Sequence, residues 1–207
     1  TSPSVYVRYK LTSPAGALDS ALAGREVYTI IWTTTPWTLP ASLAVAFHPD
    51  FEYVALATDG SAGPVYIVAA ELASQVIAAC KLEGATEIAR FKGAKLEHTT
   101  FHHPFLERSI LGVLGDYVTV DTGTGAVHTA HSHGAEDFYT GQKYGLNLTC
   151  RVDSAGRIHM DESAWTLASP PPYNGITVWK ANPIIIAMLT ERGALLGSGD
   201  LEHSYPH

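Results

Sequence analysis

The sequence predicts a mixed α/β fold in which a barrel-like sheet carries peripheral helices. Short segments rich in β-branched and aromatic residues, bounded by glycine and proline, predict several strands. A few other segments place apolar residues at helical spacing. Strands and helices do not alternate regularly, which argues against a doubly wound nucleotide-binding fold.

The strand predictions follow from composition and from turn residues. We expect strands at residues 4–11, 27–35, 117–121 and 125–129, and the second of these is stopped by Pro36. Residues 51–58 and 65–69 flank an Asp-Gly-Ser-Ala-Gly-Pro turn and predict a hairpin. A second hairpin is expected within residues 151–160.

Three helices are predicted from apolar spacing and from terminal residues. They cover residues 71–82, residues 135–144 and a last segment over 184–192. For the last helix, Asn182 is the expected N-cap and Pro183 the expected first helical residue, because proline has no N–H to leave unpaired there.

Composition excludes several classes of protein. With 207 residues and 46% hydrophobic content, the chain can bury the core of one domain, and we expect a single domain over residues 1–207. Because the chain starts at Thr1, we interpret it as a piece of a longer polypeptide. The net charge of −7 argues against a broad basic surface for nucleic acid. No apolar run is long enough to cross a bilayer, so we expect a cytoplasmic protein without membrane contact.

A threonine-rich cluster ends the predicted strand at residues 27–35. Thr33, Thr34 and Thr35 precede Pro36, which forces Thr35 towards an extended conformation. Because strand side chains alternate, Thr33 and Thr35 should share one face and Thr34 should lie on the other. Such hydroxyls can bind a sugar, an ester or a water molecule, although threonine is also an ordinary residue at the end of a strand.

A second cluster runs from Gly123 to Phe138. A Gly-Thr-Gly turn leads through a strand to His128, and the following helix has Asp137 near its start. The helix N-terminus should keep this carboxylate ionised, so that it can bind an ammonium group. An alternative is a carboxylate that only stabilises the helix.

Three histidines raise the possibility of a metal-dependent hydrolase. His128, His131 and His133, with Asp137, superficially resemble a zinc site. No second, remote cluster is evident in the sequence that would complete a binuclear site.

Both clusters resemble motifs of one family. Residues 33–40, Thr-Thr-Thr-Pro-Trp-Thr-Leu-Pro, resemble the threonine-rich peptide of the editing domain of isoleucyl-tRNA synthetases, whose valyl and leucyl relatives usually have arginine where this chain has Thr35. Residues 123–130, Gly-Thr-Gly-Ala-Val-His-Thr-Ala, followed by Asp137, resemble the second editing motif. Lesser matches at 110–116, 141–145 and 203–207 follow in the same order, so the resemblance covers nearly the whole chain.

The resemblance implies a β-barrel-like editing domain of the valyl/leucyl/isoleucyl type, inserted in a class I synthetase. Thr33, Thr34 and Thr35 would line the pocket for the terminal adenosine and the aminoacyl ester. Asp137 would bind the α-ammonium group of the substrate. An ordered water would attack the ester, with no metal and no covalent intermediate.

The resemblance also implies substrate-binding roles for Trp37, which would form part of the wall, and for His128, which would limit side-chain size. At two places the chain departs from the family pattern. Ser42, to which the resemblance gives a substrate-binding role, stands where asparagine is usual, and residues 130–134 read Ala-His-Ser-His-Gly instead of Ala-Pro-Gly-His-Gly.

The function implied is hydrolysis of valine from tRNA(Ile). The partners implied are the 3′ end of that tRNA and the remainder of the parent synthetase, which uses ATP and Mg²⁺, whereas the editing domain, expected as a monomer, needs no cofactor. Two alternatives stay open: the metal-dependent hydrolase, and a non-catalytic module that only docks tRNA.

Overall fold

The computed structural model describes residues 2–60, 62–130, 135–146, 150–160 and 172–201. In these residues the chain forms the strands β1 (Ser2–Leu11), β2 (Val27–Thr33), β3 (Ser42–Phe47), β4 (Glu52–Ala57), β5 (Val65–Ala69), β6 (Thr86–Lys92), β7 (Thr100–His102), β8 (Ser109–Leu114), β9 (Ala126–Ala130), β10 (Cys150–Val152), β11 (Ile158–Met160) and β12 (Leu195–Leu201). The helices are α1 (Ala73–Ala79), α2 (Ala135–Tyr144) and α3 (Val178–Glu191).

One mixed sheet of 10 strands dominates the fold, in the order β6-β4-β5-β2-β1-β7-β8-β3-β9, with β12 also paired to β1. The pairs β2–β5 and β3–β8 are parallel, and the other pairs are antiparallel. No pairing joins β6 to β9 in the described part of the chain, so the sheet is open. The sheet nevertheless curves, which brings its end strand β9 back towards β2 although four strands lie between them in the sheet order. The contact is visible just before β9, where the Thr124 hydroxyl donates to the carbonyl oxygen of Ile30 in β2. The predicted mixed, barrel-like sheet with peripheral helices is confirmed.

The main core fills the concave side of this sheet. Its largest fully buried side chains are Tyr9, Tyr53, Tyr173, Phe47 and Phe101. Two of these tyrosines also bind polar groups: the Tyr9 hydroxyl pairs with Ser42 Oγ at 2.9 Å, and the Tyr53 hydroxyl donates to the Gly125 carbonyl oxygen at 2.6 Å. Such bonds remove the cost of burying a hydroxyl.

Most predicted elements are present within two residues of their expected ends. The helix predicted over 71–82 is shorter, because residues 70–72 form a 3-10 turn before α1. The predicted strand at 117–121 is wrong. Val118 there packs in a small separate cluster with Ala44, Ala46 and Val113 instead of pairing in the sheet.

The predicted start of the last helix is also wrong. Helix α3 begins at Val178, after Thr177, so Asn182 and Pro183 lie inside it. Burial of Val178, Ala181 and Ile185 against the core extends the helix towards its N-terminus past the proline. Among the described residues, no helix is long and apolar enough to span a membrane.

Candidate functional site: a cavity between two motifs

The threonine-rich motif and the glycine–histidine motif meet at a cavity of about 240 Å³. Its described lining consists of Trp32, Thr33, Thr35, Thr38, Val127, His128 and Ala130. Since a water molecule occupies about 30 Å³ in the liquid, the cavity can hold a small apolar side chain and a few waters. We call residues 33–41 the threonine wall and residues 123–130 the histidine wall.

Thr33 and Thr35 form a hydroxyl pair on the threonine wall. Their Oγ1 atoms lie 3.2 Å apart, and the backbone N–H of Thr35 donates to Thr33 Oγ1 at 3.1 Å. Thr33 is buried, whereas Thr35 is exposed. A hydroxyl can donate once and accept twice, so the Thr35 hydroxyl keeps capacity for a water or substrate oxygen. The predicted shared face of these two residues is confirmed.

Thr38 connects the two walls. Its hydroxyl donates to the Thr35 carbonyl oxygen at 2.8 Å and lies 3.0 Å from His128 Nε2. A hydroxyl has one hydrogen, so Thr38 must accept at the second contact, and His128 Nε2 carries the hydrogen. This bond fixes the orientation of the half-buried His128 ring at the cavity.

The histidine wall is held mainly by its backbone. Strand β9 pairs with β3, which places His128 opposite Val45. In the turn before β9, the Thr124 carbonyl oxygen accepts from the backbone N–H of Ala69 at 2.8 Å. Gly125 has φ of 82°, and a Cβ atom there would lie 2.4 Å from Ala69 Cβ. Only glycine fits this turn, which explains the Gly-Thr-Gly sequence physically.

The threonine wall is held by side chains from distant parts of the chain. Its residues 36–41 form a 3-10 helix, Pro36–Ala41. The backbone N–H of Trp37 donates to Asn182 Oδ1 at 3.0 Å. His103 Nε2 donates to the Leu39 carbonyl oxygen at 2.7 Å, and Arg108 Nη1 donates to the carbonyl oxygens of Pro40 and Ser42 at 2.8 and 2.9 Å.

His103 is a buried neutral hydrogen-bonding group. Its Nδ1 accepts from the backbone N–H groups of Phe105 and Leu106 at 3.2 and 3.1 Å, so Nε2 carries the hydrogen given to Leu39. Burial, and then the nearby Arg108 guanidinium, lower the pKa of His103 well below its ordinary value of 6.5.

Other predicted site residues lie away from the cavity lining. Ser42 is fully buried and bonded to Tyr9, so direct substrate contact by its side chain conflicts with this geometry. Trp37 is half-buried against the main core, and the tryptophan that lines the cavity is Trp32. Thr34 is half-buried outside the lining, as the strand alternation predicts.

Asp137 is the third residue of α2, so its predicted position near a helix start is confirmed for the backbone. Its side chain and residues 131–134, with His131 and His133, lie outside the described part of the structure. Among the described residues, no group of three His, Cys, Asp or Glu side chains could hold a metal. His128 Nε2 is hydrogen-bonded to the Thr38 hydroxyl in this arrangement.

Sequence reasoning missed Trp32, Thr38 and Asn182. Strand alternation places Trp32 on the face of Thr34, opposite Thr33 and Thr35, and Thr38 lies in the 3-10 helix beyond Pro36, so the alternation of the strand could not have indicated either residue. Asn182 lies 145 residues from its partner Trp37, and no local signal could have identified this contact.

Two neighbouring cavities differ in their relation to this site. A cavity of about 300 Å³ shares Trp32 and Val127 with it and extends along the Gly-Thr-Gly turn. A larger cavity of about 530 Å³ is lined by Pro49, Leu114, Gly115, Asp116, Tyr117, Thr140 and Lys143, and it includes none of the predicted site residues. We assign the site to the cavity of about 240 Å³ because both motifs contribute to its lining.

Comparison with known proteins agrees with these observations. Over 207 residues, the chain is 44% identical to the isoleucine–tRNA ligase of Geobacter sulfurreducens and 42% identical to that of Desulfotalea psychrophila, covering 100% of this chain and 21% of each relative. The chain thus spans about a fifth of the length of these relatives. No family model matches it.

The fold is also found among solved structures. The editing domain of the P. falciparum cytosolic leucyl-tRNA synthetase is similar with a TM-score of 0.69 and 9% identity, over 97% of this chain and 100% of that chain. At such low identity the similarity concerns the fold alone. The chain therefore belongs to the isoleucine–tRNA ligase family, as a segment of its members' length, and it has the fold of a synthetase editing domain.

Proposed function

We propose that this chain is the hydrolytic editing segment of an isoleucine–tRNA ligase and removes valine from tRNA(Ile). The observation that supports this most is the meeting of the two motifs at one small cavity, with Thr35 and His128 on opposite walls joined through Thr38. A shallow cavity lined by hydroxyls and one oriented ring suits a small aminoacyl ester.

The reaction needs only positioned groups and water. A water oxygen bonds to the ester carbonyl carbon, the bond from that carbon to the ribose oxygen breaks, and the ribose oxygen takes up a proton. The hydroxyls of Thr33 and Thr35 orient the ester and the water, and Asp137 binds the α-ammonium group. Proximity and orientation supply the main rate advantage in such a site.

A second site is needed because the synthetic pocket discriminates poorly. One missing methylene is worth only about 1–3 kcal/mol, so a pocket for isoleucine cannot strongly reject valine. In this proposal His128 admits valine and excludes the larger isoleucine. The neighbouring cavity of about 300 Å³, along the Gly-Thr-Gly turn, takes the terminal nucleoside.

The proposed partners follow from the charge of the chain and from its short span. With a net charge of −7, the segment binds only the 3′ end of tRNA, and the remainder of the synthetase supplies the phosphate contacts. The parent enzyme uses ATP and Mg²⁺ for aminoacylation, acts as a monomer and is cytoplasmic in this proposal.

The decisive experiment compares hydrolysis of valyl-tRNA(Ile) and isoleucyl-tRNA(Ile) by this chain and by the full synthetase. Valyl-tRNA should be hydrolysed and isoleucyl-tRNA spared. Asp137→Ala should abolish hydrolysis with little change in the melting temperature, whereas Glu136→Ala, the neighbouring acid of α2, is the matched control. Undiminished hydrolysis by Asp137→Ala removes Asp137 from the mechanism, and inactivity of the full synthetase favours the non-catalytic docking module.

The metal-hydrolase alternative has its own test. In our proposal the editing site uses no metal or other cofactor, so deacylation should survive exhaustive chelation, with metal content measured before and after. Activity that disappears with the metal and returns with zinc would favour a site built on His128, His131 and His133.

A further inference from the structure

The first turn of the threonine wall is capped in an unusual way. Thr35 is the N-cap residue of the 3-10 helix, and its side chain makes no capping hydrogen bond. An N-cap threonine ordinarily accepts with its hydroxyl from the second or third N–H of the helix. Here the second residue, Trp37, donates instead to Asn182 Oδ1 at 3.0 Å.

The other donors of this turn are already accounted for. Pro36 has no N–H, and the N–H of Thr38 donates to the Thr35 carbonyl oxygen at 2.9 Å. The Trp37 N–H is therefore the group that would compete for the Thr35 hydroxyl. Because Asn182 occupies it, the Thr35 hydroxyl can lie 3.2 Å from Thr33 Oγ1, at the cavity.

The position of Asn182 is itself fixed. It lies half-buried inside α3, between Ala181 and the buried Ile185, which anchor that face of the helix on the core. The carboxamide of Asn182 is therefore carried by a helix and not by a loop. Residues on helices are held more precisely than residues on loops, as a residue that positions a neighbouring site must be.

We propose that Asn182 is a positioning residue: it caps the Pro36–Ala41 helix in place of Thr35 and so keeps the Thr35 hydroxyl on the cavity. This rests on the proposed function for its effect on catalysis, but the geometric part stands independently. Without an acceptor at position 182, the Thr35 hydroxyl turns to the Trp37 N–H and leaves Thr33.

Only the acceptor atom of Asn182 matters in this proposal, and two substitutions separate it from packing. Asn182→Leu is similar in size and has no acceptor, whereas Asn182→Asp keeps an oxygen in the same place. Asn182→Ser, whose hydroxyl is too short to reach Trp37, replaces the leucine variant if that does not fold. Ala187→Leu introduces the same side chain at an exposed position of α3 and serves as control.

The test uses the full synthetase and two measurements. In single-turnover and steady-state deacylation of valyl-tRNA(Ile), Asn182→Leu should lower kcat about 10- to 100-fold with KM nearly unchanged, because a misplaced reacting group costs that much. Asn182→Asp and Ala187→Leu should retain the wild-type kcat. In a crystal structure of the Asn182→Leu variant, Thr35 Oγ1 should lie within hydrogen-bonding distance of Trp37 N.

The outcomes distinguish the two proposals. If the wild-type enzyme does not deacylate valyl-tRNA, the proposed function fails, and the crystal structure alone decides the capping exchange. If the wild type is active and Asn182→Leu is equally active, or if Thr35 stays beside Thr33 in the variant, the positioning role is wrong. Equal loss of kcat in Asn182→Asp and Asn182→Leu also overturns it.

Discussion

The threonine wall and the histidine wall face one cavity but are held by different contacts. In the histidine wall, the main-chain groups of β9 pair with β3, and the turn at residues 123–125 packs against β5. Most of the threonine wall lies beyond the end of β2 and therefore has no strand partner. Instead, the side chains of Asn182, His103 and Arg108 form hydrogen bonds with its backbone. The histidine wall should therefore be sensitive to backbone strain, and the threonine wall to loss of remote polar side chains.

The largest effect is expected at the turn of the histidine wall. Gly125→Ala combines a φ of 82° with a Cβ atom 2.4 Å from Ala69 Cβ. We expect the free energy of unfolding to fall by about 2–5 kcal/mol. Gly156→Ala is the matched control, since its φ is 77° but nothing lies within 4 Å of the added atom.

In Gly156→Ala the backbone is strained by its left-handed conformation, but the added atom meets no neighbour. The free energy of unfolding should therefore fall by only about 1–2 kcal/mol. Chemical denaturation of both variants measures the difference. Equal losses would mean that the close approach of Gly125 to Ala69 does not constrain the histidine wall.

The next effect tests the remote anchoring of the threonine wall. His103→Leu leaves the Leu39 carbonyl oxygen and the N–H groups of Phe105 and Leu106 without their imidazole partner. We expect a loss of about 2–4 kcal/mol in the free energy of unfolding, because buried polar groups become unpaired. Denaturation of this variant beside His102→Leu, whose side chain is partly exposed, measures the specific cost. Similar losses in both variants would contradict the anchoring role of His103.

A smaller effect appears as a dependence of stability on pH. The pKa of His103 is lowered in the folded state, mainly by burial, from 6.5. Below about 6.5 the unfolded state therefore binds more protons, so this contribution to stability is present above that pH and is lost as pH falls towards the folded pKa. The decrease in unfolding free energy from about pH 7.5 to pH 5 should be smaller in His103→Gln than in the wild type. Parallel pH curves would show that His103 does not titrate in this way.

The smallest effect on stability is expected for the ring at the centre of the site. His128→Ala removes a half-buried side chain and its bond to Thr38, while the pairing of β9 with β3 stays intact. We expect the free energy of unfolding to fall by about 1 kcal/mol or less. The variant should nevertheless hydrolyse isoleucyl-tRNA(Ile), because the space left by the ring accommodates one more methylene. Deacylation assays with both charged tRNAs measure this, and full protection of isoleucyl-tRNA would show that His128 does not limit substrate size.

Local sequence patterns predicted the elements that depend on neighbouring residues. The hairpin of β4 and β5 and the bounds of α2 follow from turn residues and apolar spacing, and the alternation of Thr33 and Thr35 follows from the strand that contains them. Residues 117–121 have the composition of a strand but form none in the structure. Composition indicates that a segment can be extended, but it does not indicate whether the edge of a sheet is available for pairing.

Local patterns were sufficient to place Thr33 and Thr35 on one face and a tight turn at Gly-Thr-Gly, because strand alternation and glycine conformations depend on neighbouring residues. They did not indicate that Trp32 and Thr38 also line the cavity. The contacts that hold the threonine wall follow from the fold and not from any local pattern. Asn182 looks like a helix cap in the sequence, yet it lies inside α3 and caps a helix 145 residues away. Ser42 looks available for substrate, yet the fold buries it against Tyr9. Both outcomes depend on which distant segments pack together, and burial of apolar surface sets that packing without leaving a local signature.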